Sequence, residues 1–216
     1  MFVKQPEIQG MSIVLLGDFN PKIFQPAWFA AEKLIRVPEA ESAEIEIIHP
    51  EIIIFKLEWV NIQITRDSCS FSTIQEPYYE IMRDLCIGTF RLLRHTPIRK
   101  LGINRDVHFR MKSTEEWHSL GHSLAPKELW GKVLQNPGLI SLTINGERID
   151  GLKGYIKVKV EPSSKVEIGV YIQVNDHYEA VETAIGGDEI INVLESSWER
   201  SKTNSIAIIN AVLEWK

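Results

Sequence analysis

Residues 44–65 read EIEIIHPEIIIFKLEWVNIQIT, and the reading of this stretch decides the fold. Apolar side chains recur at every second position, first Ile45 and Ile47, then Ile52 and Ile54, then Ile62 and Ile64. That is the period of a pleated strand and not of a helix. His49-Pro50 and Arg66-Asp67 place turn residues between the runs, so three or four antiparallel strands are expected up to Phe71. Glu51, Lys56 and Glu58 interrupt the apolar run, which excludes a membrane span here.

Upstream, Met11 to Leu16 reads as a short buried strand closed by Gly17-Asp18. Pro21 and Pro26 prepare a helix on which Trp28, Phe29, Leu34 and Ile35 share one side and which ends before Pro38. Downstream, Pro77 opens a helix with Met82, Leu85, Cys86, Phe90 and Leu93 on one stripe, and Leu101 to Arg110 returns to strand alternation.

The remainder repeats this order. Ser113 with Glu116 has capping-box spacing for a short helix, and Pro126 opens another carrying Leu129, Trp130, Val133 and Leu134. Strands are expected at 139–144, 155–160 and 166–174, with turns at Asn145-Gly146, Asp150-Gly151 and 161–164. The segment from Asp188 to Glu214 fits one helix or two elements parted at Asn204. The fold class is therefore α+β, a mostly antiparallel sheet with helices packed on one face. Two loosely similar β-rich halves, 1–112 and 113–216, are expected to share one continuous sheet and core, since no low-complexity linker divides the 216 residues.

Hydrophobic residues make up 44% and charged residues 25% of the chain, the composition of an ordered globular protein. Cys69 and Cys86 are too few for a disulfide framework, and Met1 to Gly10 lacks a basic start and apolar run, so a reducing cytoplasmic setting and no membrane association are expected. The net charge of −5 disfavours nucleic acid unless the basic residues are segregated. Arg91, Arg94, Arg99, Lys100 and Arg105 do cluster in sequence, which makes them the candidate nucleic-acid contacts.

Gly17-Asp18-Phe19-Asn20 after an apolar strand resembles the GDFN motif of the endonuclease/exonuclease/phosphatase superfamily, and Asn175-Asp176-His177 resembles its closing Asp-His pair. The resemblance implies a metal-dependent phosphodiesterase with Asp18, Asn20, Asp176 and His177 as catalytic candidates. The competing reading, which is favoured, makes both segments turn formers that never meet. His118 and His122, four apart on a helix, are candidate metal ligands with His108 as a third, although an exposed histidine pair is the default. No phosphate loop, nucleophile elbow or cofactor signature is present, so no cofactor is expected. Six tryptophans are many for this length, and Trp117 and Trp215 are the candidate contact residues of a protein partner or homo-oligomer.

The element order, with Tyr78-Tyr79 at a helix start and a strand carrying Leu101-Gly102-Ile103-Asn104-Arg105, resembles a sporadically distributed bacterial family of uncharacterised α+β proteins. The Arg-Tyr pair that precedes Ile-Asn in that family is absent here. The resemblance implies a prokaryotic accessory protein, such as a member of a defence or toxin-neutralising cassette. A non-enzymatic interaction protein is accordingly the leading expectation, with the phosphodiesterase and nucleic-acid readings as alternatives.

Overall fold

The computed structural model describes residues 1–181 and 186–214. Nine strands form one antiparallel sheet: β1 (Ile8–Gly17), β2 (Glu44–His49), β3 (Ile52–Lys56), β4 (Asn61–Thr65), β5 (Ser68–Thr73), β6 (Ile98–Arg110), β7 (Leu142–Glu147), β8 (Gly154–Pro162) and β9 (Gly169–Glu179). Their spatial order is β2-β3-β4-β5-β1-β6-β9-β8-β7. Five α-helices accompany them among the described residues: α1 (Pro26–Ala31), α2 (Val37–Glu41), α3 (Tyr79–Leu92), α4 (Thr114–Leu124) and α5 (Asp188–Glu214). None is long and apolar enough to cross a membrane.

Strand register explains why the sheet has two unlike faces. One row of paired residues, Ile45, Phe55, Ile62, Phe71, Ile13, Ile103, Asp176, Ile156 and Gly146, crosses all nine strands, and Asp176 is its only charged member. The next row, Glu44, Lys56, Asn61, Ser72, Ser12, Asn104, Asn175, Lys157 and Asn145, contains no apolar residue. Successive side chains of a strand point to opposite faces, so the first row drives burial and the second remains polar.

The apolar rows join two buried clusters. The larger gathers Ile13, Ile53, Phe71 and Ile103 with Met82, Phe90, Leu194 and Trp198 of α3 and α5. The smaller gathers Val107, Phe109, Val160, Ile172 and Val174 with Leu120 of α4 and Ile209 of α5. Burial of such side chains stabilises by roughly 1.5–3 kcal/mol each, so these clusters supply the main favourable contribution to folding.

Several elements differ from the sequence reading. The first helix stops at Ala31 because Lys33 takes a left-handed conformation (φ 60°), and Pro38 lies inside the first turn of a separate helix, α2. In β3 the inward pair is Ile53 and Phe55, not Ile52 and Ile54; the unbroken apolar run concealed the phase. The segment after Pro126 forms only a 3-10 turn, Trp130–Lys132. Asn145-Gly146 lies within β7, and the turn to β8 is built instead on 148–153, with Gly151 left-handed (φ 77°). Asn175 to His177 is not a turn but continues β9, whose alternation is masked because Asp176 occupies an inward position. The C-terminal segment is a single helix through Asn204, α5. Ser113 caps α4 by accepting from Glu116 N at 3.3 Å, while the Glu116 carboxylate turns to the Lys112 amide.

Candidate interaction surface

Each residue of the phosphodiesterase reading is engaged by another partner. Asp18 accepts from Arg99 Nη1 at 2.8 Å and Nη2 at 3.1 Å, and this pairing holds its carboxyl below the usual carboxylate range. Asn20 caps the 3-10 turn that follows, accepting from Lys22 N at 3.3 Å. Asp176 and His177, consecutive on β9, point to opposite faces. Asp176 pairs with Arg148 and accepts from Tyr178 Oη at 3.0 Å, whereas the His177 ring stacks on Tyr155 with centroids 4.3 Å apart. An Asp that cannot reach the neighbouring imidazole cannot orient it as a base.

Arg148 deserves its place at the centre of the most buried ionic group. Its guanidinium, 4% exposed, binds Asp150 and Asp176 and lies over the Tyr178 ring at 3.8 Å. Arg200 of α5 approaches Asp150 at 3.0 Å. Burial opposes the charge on Arg148, but the two carboxylates outweigh it and raise its pKa. The group thereby neutralises the one acid of the apolar row and ties the 148–153 turn to β9 and α5.

The histidines do not gather. His118 lies against Trp117, with ring centroids 5.1 Å apart, and His122 Nε2 meets Glu128 at 3.1 Å. His108 belongs to β6, where Nδ1 lies 2.8 Å from Ser163 Oγ. Among the described residues no three His, Cys, Asp or Glu side chains are placed to hold a metal ion. Ser163 Oγ accepts from Lys165 N at 3.1 Å and Val166 N at 2.9 Å, so its lone pairs are engaged and its proton turns to His108 Nδ1. This pattern fits a neutral ring with its proton on Nε2 and makes Ser163 a brace of the loop through Val166. Burial holds His108 below its ordinary pKa, helped by Lys165 and opposed by Asp106.

The basic cluster is largely neutralised. Arg91 pairs with Glu195 at 2.5 Å, Arg99 with Asp18, and Lys100 with Glu179 at 3.2 Å. Among the described residues Arg94 reaches His95 Nε2 at 3.5 Å. Arg105 is no surface contact at all: it is 3% exposed, donates to Gln9 Oε1 at 2.7 Å, and lies over the Phe2 and Tyr79 rings at 5.2 and 5.3 Å. Burial lowers its pKa. A phosphate backbone would therefore have to displace existing carboxylate partners.

On the polar face, Asn175 donates to Asn104, which donates to Ser12 Oγ at 3.1 Å, linking β9, β6 and β1. Beside this ladder a cleft of about 430 Å³ is lined by Ser12, Asn61, Ser72, Asp106, His108 and Tyr171. Asp106 accepts from Tyr171 Oη and from Gln173 Nε2 at 2.8 Å. Burial and that carboxylate both raise the Tyr171 pKa, so its hydroxyl stays protonated and donates to Asp106.

The apolar face tells a different story near β7. Leu129, Trp130, Val133, Ile140, Ile144 and Ile149 are all exposed. An apolar groove of about 290 Å³, lined by Leu142, Ile144, Val158, Ile208 and Val212, runs between β7, β8 and α5. Trp117 is half-buried and donates to Gly169 O at 3.0 Å, so the exposed indole of this region is Trp130. Trp215 lies outside the described residues. Trp130 escaped the sequence reading because it lay on an expected amphipathic helix, where an apolar stripe implies burial. Compared with known proteins, the chain matches no family model and no curated sequence.

Proposed function

We propose that this chain is a non-enzymatic interaction subunit. The exposed apolar residues around β7 carry the reading: Ile144 lines an apolar groove with Leu142, Val158, Ile208 and Val212, and Trp130, Ile140 and Ile149 on the flanking segments are exposed as well, apolar surface that monomeric proteins rarely leave uncovered. In this reading the helices share the apolar face of the sheet, the two β-rich halves form one rigid platform, and contact is made at its C-terminal end. The engagement of Asp18 by Arg99 and of Asn20 by the Lys22 amide, and the opposite facing of Asp176 and His177 on β9, support a binding role over a hydrolytic one. The resemblance to a sporadic bacterial family adds the setting of an accessory gene.

Tagged protein purified from a native lysate tests the proposal. Wild type is expected to retain a stoichiometric partner, a second copy or another protein, and Trp130→Asp combined with Ile140→Asp is expected to lose it while keeping the same thermal transition. A strictly monomeric wild type with no retained partner would refute the reading.

A further inference from the structure

Outward from the centre of the sheet, the order is β1, β5, β4, β3, β2 on one side and β6, β9, β8, β7 on the other. Each side starts with its earliest strand at the centre and its latest beside it, and each is followed by a long helix, α3 after β5 and α5 after β9. A pseudo-twofold axis between β1 and β6 therefore superposes β5 on β9, β4 on β8 and β3 on β7. Among the described residues no strand on the second side corresponds to β2. The two counterpart strands also differ in burial: Ile53 and Phe55 of β3 are inaccessible, with Phe55 against Phe29 of α1, whereas Ile144 of β7 is 56% exposed.

From this vacancy, and resting on the interaction reading above, we propose that β7 pairs antiparallel with β7 of a second copy of this chain, joining two sheets across a twofold axis. The two edges of the sheet differ in the way this requires. β2 carries Glu44 and Glu46 and has a register shift between Ile45 and Ile47, a feature that blunts edge pairing. β7 pairs regularly over its whole length, and Glu147 is its only charged residue.

Self-pairing centred on Ile144 sets Thr143 opposite Asn145, Leu142 opposite Gly146, and Glu147 opposite Ser141 of the other copy. No like charges face each other, and an axis normal to the sheet keeps both apolar faces on one side. Ile144 and its copy would then close the groove beside Ile208 and Val212 from both directions.

Light scattering coupled to gel filtration, with site-specific cross-linking, tests the pairing. The wild type is expected to show twice the chain mass, Ile144→Lys half of that, and Ile47→Lys on β2 no change. Under mild oxidation Ile144→Cys is expected to cross-link to itself and Thr143→Cys is not, because residue 143 faces 145; the native Cys69 and Cys86 are buried and do not compete. A dimer that survives Ile144→Lys and gives no Ile144→Cys cross-link overturns the β7 pairing while leaving an interaction subunit. A wild type that stays monomeric overturns it as well, and the interaction reading then stands or falls on a heterologous partner retained through Trp130.

Discussion

The two sides of the sheet are built alike but finished differently. Among the described residues the larger cluster contains thirty buried apolar side chains, twenty-two of them between Met11 and Phe90 and eight supplied by β6, β9 and α5, and the smaller cluster under β6, β8 and β9 contains nine. The first side packs with aromatic contacts such as Phe24–Phe90 at 6.1 Å and Phe29–Phe55 at 5.8 Å. Both sides leave apolar side chains exposed at their edges, the first at Ile45, Ile47 and Ile48 of β2 and the second at Ile140, Ile144 and Ile149. A repeated strand order with unequal packing teaches that topology alone does not set how much apolar surface each side buries.

The sharpest test of that contrast is deletion of a core side chain on the first side. Phe71→Ala should cost about 3–5 kcal/mol in chemical denaturation, because the residue is inaccessible and its neighbours cannot collapse into the space. Next in size, Arg148→Met should cost about 3 kcal/mol, since it strands the buried Asp176 without a counter-charge beside Tyr178 and leaves Asp150 with Arg200 alone. Its effect falls on the second side, so opening of the 148–153 turn should be seen there first by hydrogen exchange.

A smaller effect should appear as pH dependence. Burial depresses the pKa of His108 and of His177, the latter raised in part by Glu179 and lowered by Lys100 and Lys157. The unfolded chain therefore binds these protons more readily than the folded one. Their contribution to stability is present above the ordinary value of 6.5 and is lost as pH falls through the lower folded values. Thermal transitions should drop as pH falls below that value, and the His108→Gln/His177→Gln variant should flatten the drop. The smallest expected effect is that of Ile144→Ala on stability under monomeric conditions, within about 0.5 kcal/mol, because an exposed side chain has little burial to lose. A large loss there would erase the distinction between the two sides.

Much of the local structure was legible because it depends on neighbours in sequence. Alternation from Ile45 to Ile64 placed the hairpins, the stripe from Met82 to Phe90 placed α3, and Ser113 marked the start of α4. The misreadings share a cause. Asn175 to His177 looked like a turn because an inward Asp is acceptable only if a distant cation reaches it, and Arg148 lies twenty-eight residues away. Trp130 looked buried because its neighbours had helical spacing, yet most of the segment has no element to pack against.

The amino-acid sequence by itself determined the antiparallel α+β character, the positions of most strands and helices, and the absence of familiar catalytic motifs, since all of these follow from short-range period and residue chemistry. Only the tertiary structure decided which strands are neighbours, which charges are spent on one another, and which apolar residues remain uncovered. Strand pairing and burial join residues far apart in the chain, and the short-range spacing along one strand does not specify the strand that will lie beside it.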